Sequence, residues 1–250
     1  MRRPAASDNS GVGTRFHTPR GVGSAAKRTA DAVVAALGLL VFLPVCIVVA
    51  AAIKLDSPGG VLYRCRRVGY RGRPLEMLKF RKMSDGATGA PLTAAEDPRF
   101  TRVGRVLAKT KLDELPQLWN VIKGEMSLVG PRPESPEFVE LHSAAYADIL
   151  SVRPGITGLS QLAFARETEI LDDGDRIGDY LGRILPQKMS LDRLYAQRRS
   201  LGMDLSIIGW TLLAVATRAE VAVDRSSGAL NLRRRPQAEA LAVERTAYEG

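Results

Sequence analysis

Histidine, cysteine and aromatic residues are all scarce in this chain of 250 residues. The two histidines, His17 and His142, stand far apart, so no histidine-based metal site is visible. The two cysteines, Cys46 and Cys65, form neither a disulfide framework nor a metal pattern, which fits a reducing, cytosol-facing location. Aromatic residues make up 6% of the chain and no recognition motif appears. That argues against a nucleic-acid binder, although the net charge is +9. No internal repeat is present, which excludes solenoid architectures.

The charge itself calls for an anionic partner: nucleic acid, a phosphorylated substrate or an anionic membrane face. A hydrophobic content of 45% over this length supports one sizeable core. The long apolar run Val33–Ile53 carries no charge. As a helix it reaches roughly 30 Å, one hydrocarbon core. It starts too far into the chain and is too long for a signal peptide. Lys27 and Arg28 precede it; Lys54, Arg64, Arg66 and Arg67 follow. A spanning helix carries its basic excess on one side, whereas this run is basic on both. Pro44 near its middle favours a kink. Two readings stay open here: a helix that enters, bends at Pro44 and returns, and a simple single pass.

Residues 1–24 read as a disordered leader, polar and rich in Gly, Ser, Arg and Pro. "GVGSAAK" (21–27) lacks the glycine spacing and preceding strand of a phosphate loop. After the apolar run, Val61–Cys65 and Leu75–Phe80 read as a hairpin around a Gly-rich turn. Residues 86–100 read as loop, and a helix is expected from about Val103 to Val121 with an interruption near Lys111. Residues 127–138 read as a rigid proline-rich loop, 137–151 as helix and 153–162 as a second loop. Two helices joined near Gly202 are expected over 185–220; the apolar Leu205–Val215 in the second is too short to span and suits a buried or interfacial helix. The tail, 221–250, reads as disordered.

The chemistry concentrates in "KTKLDELPQLWNV" (109–121). Leu112, Leu115, Leu118 and Ile122 share one helix face; Asp113, Glu114 and Gln117 share another. Acids in a first turn complement the helix dipole, and Pro116 suits an early helical position, so helix-start decoration is the plain reading. The surroundings favour a sharper one. Arg99, Arg102, Arg105, Lys109, Lys111 and Arg132 lie within about twenty residues. Carboxylates among cations stay ionised. One can attack phosphorus, and the other can hold Mg²⁺ alongside substrate phosphates. In "GPRP" (130–133) prolines restrict Arg132 on both sides, fixing a guanidinium that can grip phosphate or stack on a base. In "KFRKM" (79–83) strand alternation points Lys79 and Arg81 the same way. "DPRFTRVGR" (97–105) reads as a loop and a basic helix start that includes Arg102.

Six runs in order, "KRTADAVVAALGLLVFLP", "IKLDSPGGVLYRCRRVGYRGRPLEMLKFRKM", "DPRFTRVGRVL", "LDELPQLWNVIKGEMSLVGPRP", "RPGITGLSQL" and "LDRLYAQRRSLGMDL", cover roughly residues 27–210. Together they resemble the bacterial sugar transferases, specifically the short-form monotopic phosphoglycosyl transferases. The resemblance implies an α+β, mostly helical fold. A re-entrant helix-break-helix over 25–56, broken at Pro44, would lie in the cytoplasmic leaflet of the bacterial inner membrane. A compact catalytic domain with a small hairpin would occupy 57–220. The implied reaction moves a sugar-1-phosphate from a nucleotide diphosphate sugar, usually a UDP-sugar, to polyprenyl (undecaprenyl) phosphate, releasing UMP and initiating exopolysaccharide or glycoconjugate synthesis. Asp113 corresponds to the nucleophile that forms a covalent phosphosugar intermediate, and Glu114 to its Mg²⁺-binding partner. Lys79, Arg81, Arg102 and Arg132 correspond to phosphate- or nucleotide-binding cations. Membrane lipids and downstream glycosyltransferases are the implied partners. The sequence departs from the family at Ala108, where arginine is usual, with Lys109 and Arg105 the candidates to replace it, and at Leu43 before the helix-breaking proline, where serine is common. The rival reading is a membrane-anchored scaffold of polysaccharide assembly that has lost chemistry.

Overall fold

The computed structural model describes residues 23–88, 97–165 and 176–233. Most of the expected leader, the middle of the 86–100 loop and the tail beyond 233 lie outside the described residues. A 34-residue helix, α1 (Gly23–Asp56), opens the fold, about 50 Å long at 1.5 Å per residue. It takes in the last two residues assigned to the leader. Its mean hydropathy reaches 3.0. The expected break at Pro44 is absent, and helix runs on both sides of it. Proline deletes one backbone hydrogen bond, and the remaining bonds of the flanking turns carry the helix through.

Contacts along α1 are unevenly distributed. Asp31 and Ala35 are buried near its start, and Val49 and Ile53 near its end. Residues 40–45 are exposed on every side. Both ends are tied to the rest of the chain. At the start, Arg28 donates to the carbonyls of Val121 and Ile122 at 2.8 and 2.7 Å. Ser127 Oγ donates to Asp31 at 2.6 Å, and Lys27 pairs with Asp204 at 2.8 Å. At the end, Asp56 accepts from the backbone N–H of Val103 at 2.9 Å.

Next, β1 (Leu62–Val68) and β2 (Pro74–Phe80) pair antiparallel, Leu62 opposite Phe80 and Val68 opposite Pro74. Leu75 and Met77 face inward with Cys65, against Ala35, Val121 and Met126. Then α2 (Arg102–Thr110) starts on Thr101, whose side chain accepts from Gly104 N–H at 2.9 Å. The helix stops at Lys111, which takes the left-handed conformation with φ 59°, so the interruption lies where the sequence placed it. One 3₁₀ turn, Leu112–Glu114, leads through Pro116 into α3 (Gln117–Lys123), closed by Gly124 at φ 84°.

The two segments read as loops each hold a short strand. β3 (Ser127–Val129) pairs parallel with β4 (Gly155–Thr157). Between them lie α4 (Pro136–Leu141) and α5 (Ser143–Ile149). α6 (Leu159–Ala163) follows. A helical turn at Arg176–Asp179 runs through a π-helical turn, Tyr180–Ile184, into α7 (Leu185–Arg198). α8 (Leu201–Thr217) comes next, with Asp204 and Ile207 buried and Leu201, Leu205 and Leu212 exposed. The expected disordered tail begins instead with an antiparallel pair, β5 (Val221–Val223) and β6 (Leu230–Leu232), and Val221 is buried in the core with Leu159, Leu191, Leu194 and Tyr195. The described residues are thus mostly helical, with three two-stranded sheets.

Candidate active site

β2 delivers the first site residue. Leu75, Met77 and Lys79 alternate onto the inward face, so the strand that packs α3 also carries an ammonium beneath it. Lys79 Nζ reaches Glu114 Oε1 at 3.0 Å. The strand is held in register by Asn120 of α3, which accepts from Leu78 N–H at 3.0 Å and donates to the Glu76 carbonyl at 2.8 Å. From the other side, Arg132 Nη2 lies 3.5 Å from the same Glu114 oxygen. The buried prolines Pro131 and Pro133 flank it, and Gly155 N–H, donating to the Pro131 carbonyl at 2.8 Å, ties the loop to β4.

Asp113 is 1% exposed. Lys82 Nζ stands 3.1 Å from its Oδ2, in a direction that makes no hydrogen bond, and neither carboxylate oxygen has a hydrogen-bond partner among the described residues. Three cations, Lys79, Lys82 and Arg132, therefore surround two carboxylates. Burial opposes ionisation of Glu114, but Lys79 and Arg132, with Lys111 behind them, hold its carboxyl well below the usual carboxylate range. Burial pushes the Lys79 ammonium below its usual value, against the pull of Glu114. Glu114 stays ionised throughout the neutral range.

Of the residues singled out from sequence, Asp113, Glu114, Lys79 and Arg132 meet. Arg81 does not join them. The strand ends at Phe80, alternation is lost, and Arg81 turns away to donate to the carbonyls of Ser57 and Pro58 beyond the end of α1. Arg102 is also elsewhere, exposed in the first turn of α2 with its charge on Asp56. Lys82 takes the place expected of Arg81. It was in the quoted run "KFRKM", and only the end of the strand decides which of its cations faces inward. Gly104 permits that placement, since a Cβ there would lie 1.9 Å from the Lys82 carbonyl oxygen. The candidates to replace the family's arginine at 108, Lys109 and Arg105, are exposed, and Lys111 adds its charge to those of Lys79 and Arg132 on Glu114.

Beneath the Arg132 loop lies a polar cluster the sequence did not signal. Tyr180 O–H donates to Glu134 at 2.7 Å, and Lys188 Nζ donates to Tyr180 at 3.2 Å. Ser160 donates to Asp192 at 2.6 Å. Burial pushes the Asp192 carboxyl up to about 7, against the Ser160 bond and the Lys188 charge.

The donor set suits a hard cation. Asp113 and Glu114 offer oxygen only, and no third His, Cys, Asp or Glu joins them in a metal-holding group among the described residues. Two carboxylates plus substrate phosphates is the arrangement Mg²⁺ favours.

A family model described as bacterial sugar transferase matches residues 22–218. A UDP-glucose:undecaprenyl-phosphate glucose-1-phosphate transferase of Caulobacter vibrioides is 40% identical over 196 residues, covering 76% of this chain and 70% of that protein. The exopolysaccharide production protein ExoY of Rhizobium meliloti is 36% identical over 213 residues, covering 78% of this chain and 88% of that one. A UDP-N-acetylgalactosamine-undecaprenyl-phosphate N-acetylgalactosaminephosphotransferase of Aeromonas hydrophila is 37% identical over 198 residues, covering 76% of this chain and 44% of that one. The quoted motifs, the collar of cations on Asp113 and Glu114, and a match over most of the length agree: this chain belongs to the bacterial sugar transferase family.

Proposed function

We propose that the chain moves a sugar-1-phosphate from a UDP-sugar to undecaprenyl phosphate at the cytoplasmic face of the inner membrane, through a covalent intermediate on Asp113. The observation that carries this reading is a buried carboxylate, Asp113, with no hydrogen bond on either oxygen and the Lys82 ammonium beside it, next to a second carboxylate, Glu114, held by Lys79 and Arg132. An Asp113 oxygen attacks the phosphorus that bears the sugar. The P–O–P bond breaks and UMP leaves with the electron pair. An oxygen of undecaprenyl phosphate then attacks the same phosphorus, and Asp113 departs as a free carboxylate. Lys82 stands against Asp113 and holds it in place. Lys79 and Arg132 hold Glu114 and face the charge that develops on the phosphoryl oxygens. Glu114 and Asp113 would hold Mg²⁺, which supplies further charge neutralisation on the diphosphate. The relatives' names differ in the sugar, glucose or N-acetylgalactosamine, and a UDP-hexose or UDP-N-acetylhexosamine is the donor class we assign. The lipid-linked product is one that downstream glycosyltransferases extend.

The membrane arrangement we infer is monotopic. Both ends of α1 bond to the same catalytic body, while residues 40–45 are exposed. A helix crossing the bilayer would separate its ends by the full hydrocarbon thickness, with one on each face. A helix whose exposed apolar middle rests in one leaflet and whose ends stay on one face meets both constraints, and sets the acid pair where a soluble nucleotide and a lipid phosphate meet. The outward leucines of α8 suit the same interface.

The test is UMP release by the full chain in lipid nanodiscs with Mg²⁺, undecaprenyl phosphate and a panel of UDP-hexoses and UDP-N-acetylhexosamines, wild type against Asp113→Asn. Release by the wild type alone is expected and names the sugar. No release from folded wild type with any donor supports the scaffold reading and overturns this one.

A further inference from the structure

The site contains a second buried polar group without a partner, and the reaction as described leaves it unused. Gln117 is 1% exposed, and its side-chain Nε2 has no hydrogen-bond partner among the described residues. It follows Asp113 by four residues, Asp113 lying in the 3₁₀ turn and Gln117 opening α3 just past Pro116, a spacing that makes the two neighbours along the acid-bearing segment. Asn120, less than one turn further along α3, shows what an amide does here when its role is structural. It bonds Leu78 N–H, the Glu76 carbonyl and the Glu125 carboxylate, the last at 2.7 Å, so all its capacity is spent holding β2. Gln117 holds nothing. A buried amide without a partner is destabilising, and a methionine or leucine would fill the same volume without that cost.

The carboxamide and the Asp113 carboxylate are complementary, donor to acceptor, yet they do not bond each other. A group that both could engage from opposite sides would be an electrophile for the carboxylate and an acceptor for the amide. A tetrahedral phosphoryl group is such a group: its phosphorus accepts the Asp113 oxygen while a non-bridging oxygen accepts the Nε2–H. We propose that Gln117 is a further catalytic residue, donating through Nε2 to a non-bridging oxygen of the phosphoryl group under attack by Asp113. This inference rests on the transferase reading above. The bond is to an oxygen whose charge grows as the phosphorus transfers, so it strengthens toward the transition state and acts on turnover more than on donor binding.

The experiment uses Gln117→Met and Gln117→Leu in the full chain in nanodiscs. Initial rates of UMP release and donor KM are measured with the UDP-sugar the wild type accepts, beside thermal unfolding of the same samples. The inference predicts a roughly 100-fold fall in kcat, on the scale of losing one preorganised donor, a KM within about threefold of wild type, and a melting temperature equal to or above wild type. Removing an unsatisfied buried amide explains that last result. Wild-type turnover in either variant overturns the inference and leaves the transferase reading intact. Turnover and melting temperature that fall together, or two variants that do not fold, also overturn it, because the amide is then structural. A wild type silent with every donor removes the transferase reading and this inference with it.

Discussion

Two buried aspartates in this molecule are built for opposite ends. Asp113 lies beside the Lys82 ammonium with no hydrogen bond to settle it, which leaves both its oxygens available. Asp192 is equally hidden, accepts a hydrogen bond from Ser160, and is pushed up to about 7 by burial. A carboxyl whose folded-state pKa is raised favours folding while it is protonated. That contribution is complete below the unfolded value near 4 and is lost as pH rises through about 7. Asparagine at 192 keeps the acceptor for Ser160 and cannot ionise. Asp192→Asn is therefore expected to gain thermal stability over wild type, with an advantage that widens between pH 5 and pH 8 to a few degrees. A difference constant with pH would show that Asp192 does not titrate across that range. The acid pair was legible in the sequence because adjacency and helical spacing are local. Asp192 was not, because its character comes from burial against α6 and from Ser160, 32 residues away. Lys82 against Arg81 was undecidable for a similar reason: alternation predicts facing only while a strand lasts, and β2 stops at Phe80.

At the scale of elements, long periodic segments and strong punctuation were readable. The hairpin, the stop at Lys111 and the joint before α8 all fell within a few residues of expectation. Strands of three residues were not, since β3, β4, β5 and β6 are too short to show a period; β3 and β4 exist because each pairs with the other across an intervening pair of helices. Pro44 was read as a break and is spanned by continuous helix. The topology of that helix is testable by single cysteines at Ala25 and Leu55, both exposed, in a chain whose Cys46 and Cys65 are replaced by alanine. Both new thiols are expected to resist a membrane-impermeant maleimide in intact spheroplasts and to react once the cells are opened. Labelling of one of the two from outside would place the ends of α1 on opposite faces and contradict the monotopic arrangement.

Across the whole molecule, one body gathers an apolar helix, a hairpin and a proline-fixed loop around two carboxylates. Each supplies something distinct. α1 brings a long apolar surface, β2 and the segment after it bring Lys79 and Lys82, and the loop after β3 brings Arg132. The net charge of +9 suits the proposed work on two phosphorylated substrates at an anionic leaflet. The central claim is that Asp113 itself carries the sugar-phosphate between them. Intact-protein mass spectrometry after incubation with the preferred UDP-sugar and Mg²⁺, without undecaprenyl phosphate, addresses it directly. The account predicts that wild type gains the mass of one sugar-phosphate on a peptide containing Asp113, that Asp113→Asn gains none, and that adding undecaprenyl phosphate discharges the adduct. UMP release that requires the lipid, with no adduct at any time, would mean direct transfer between the substrates and would contradict it.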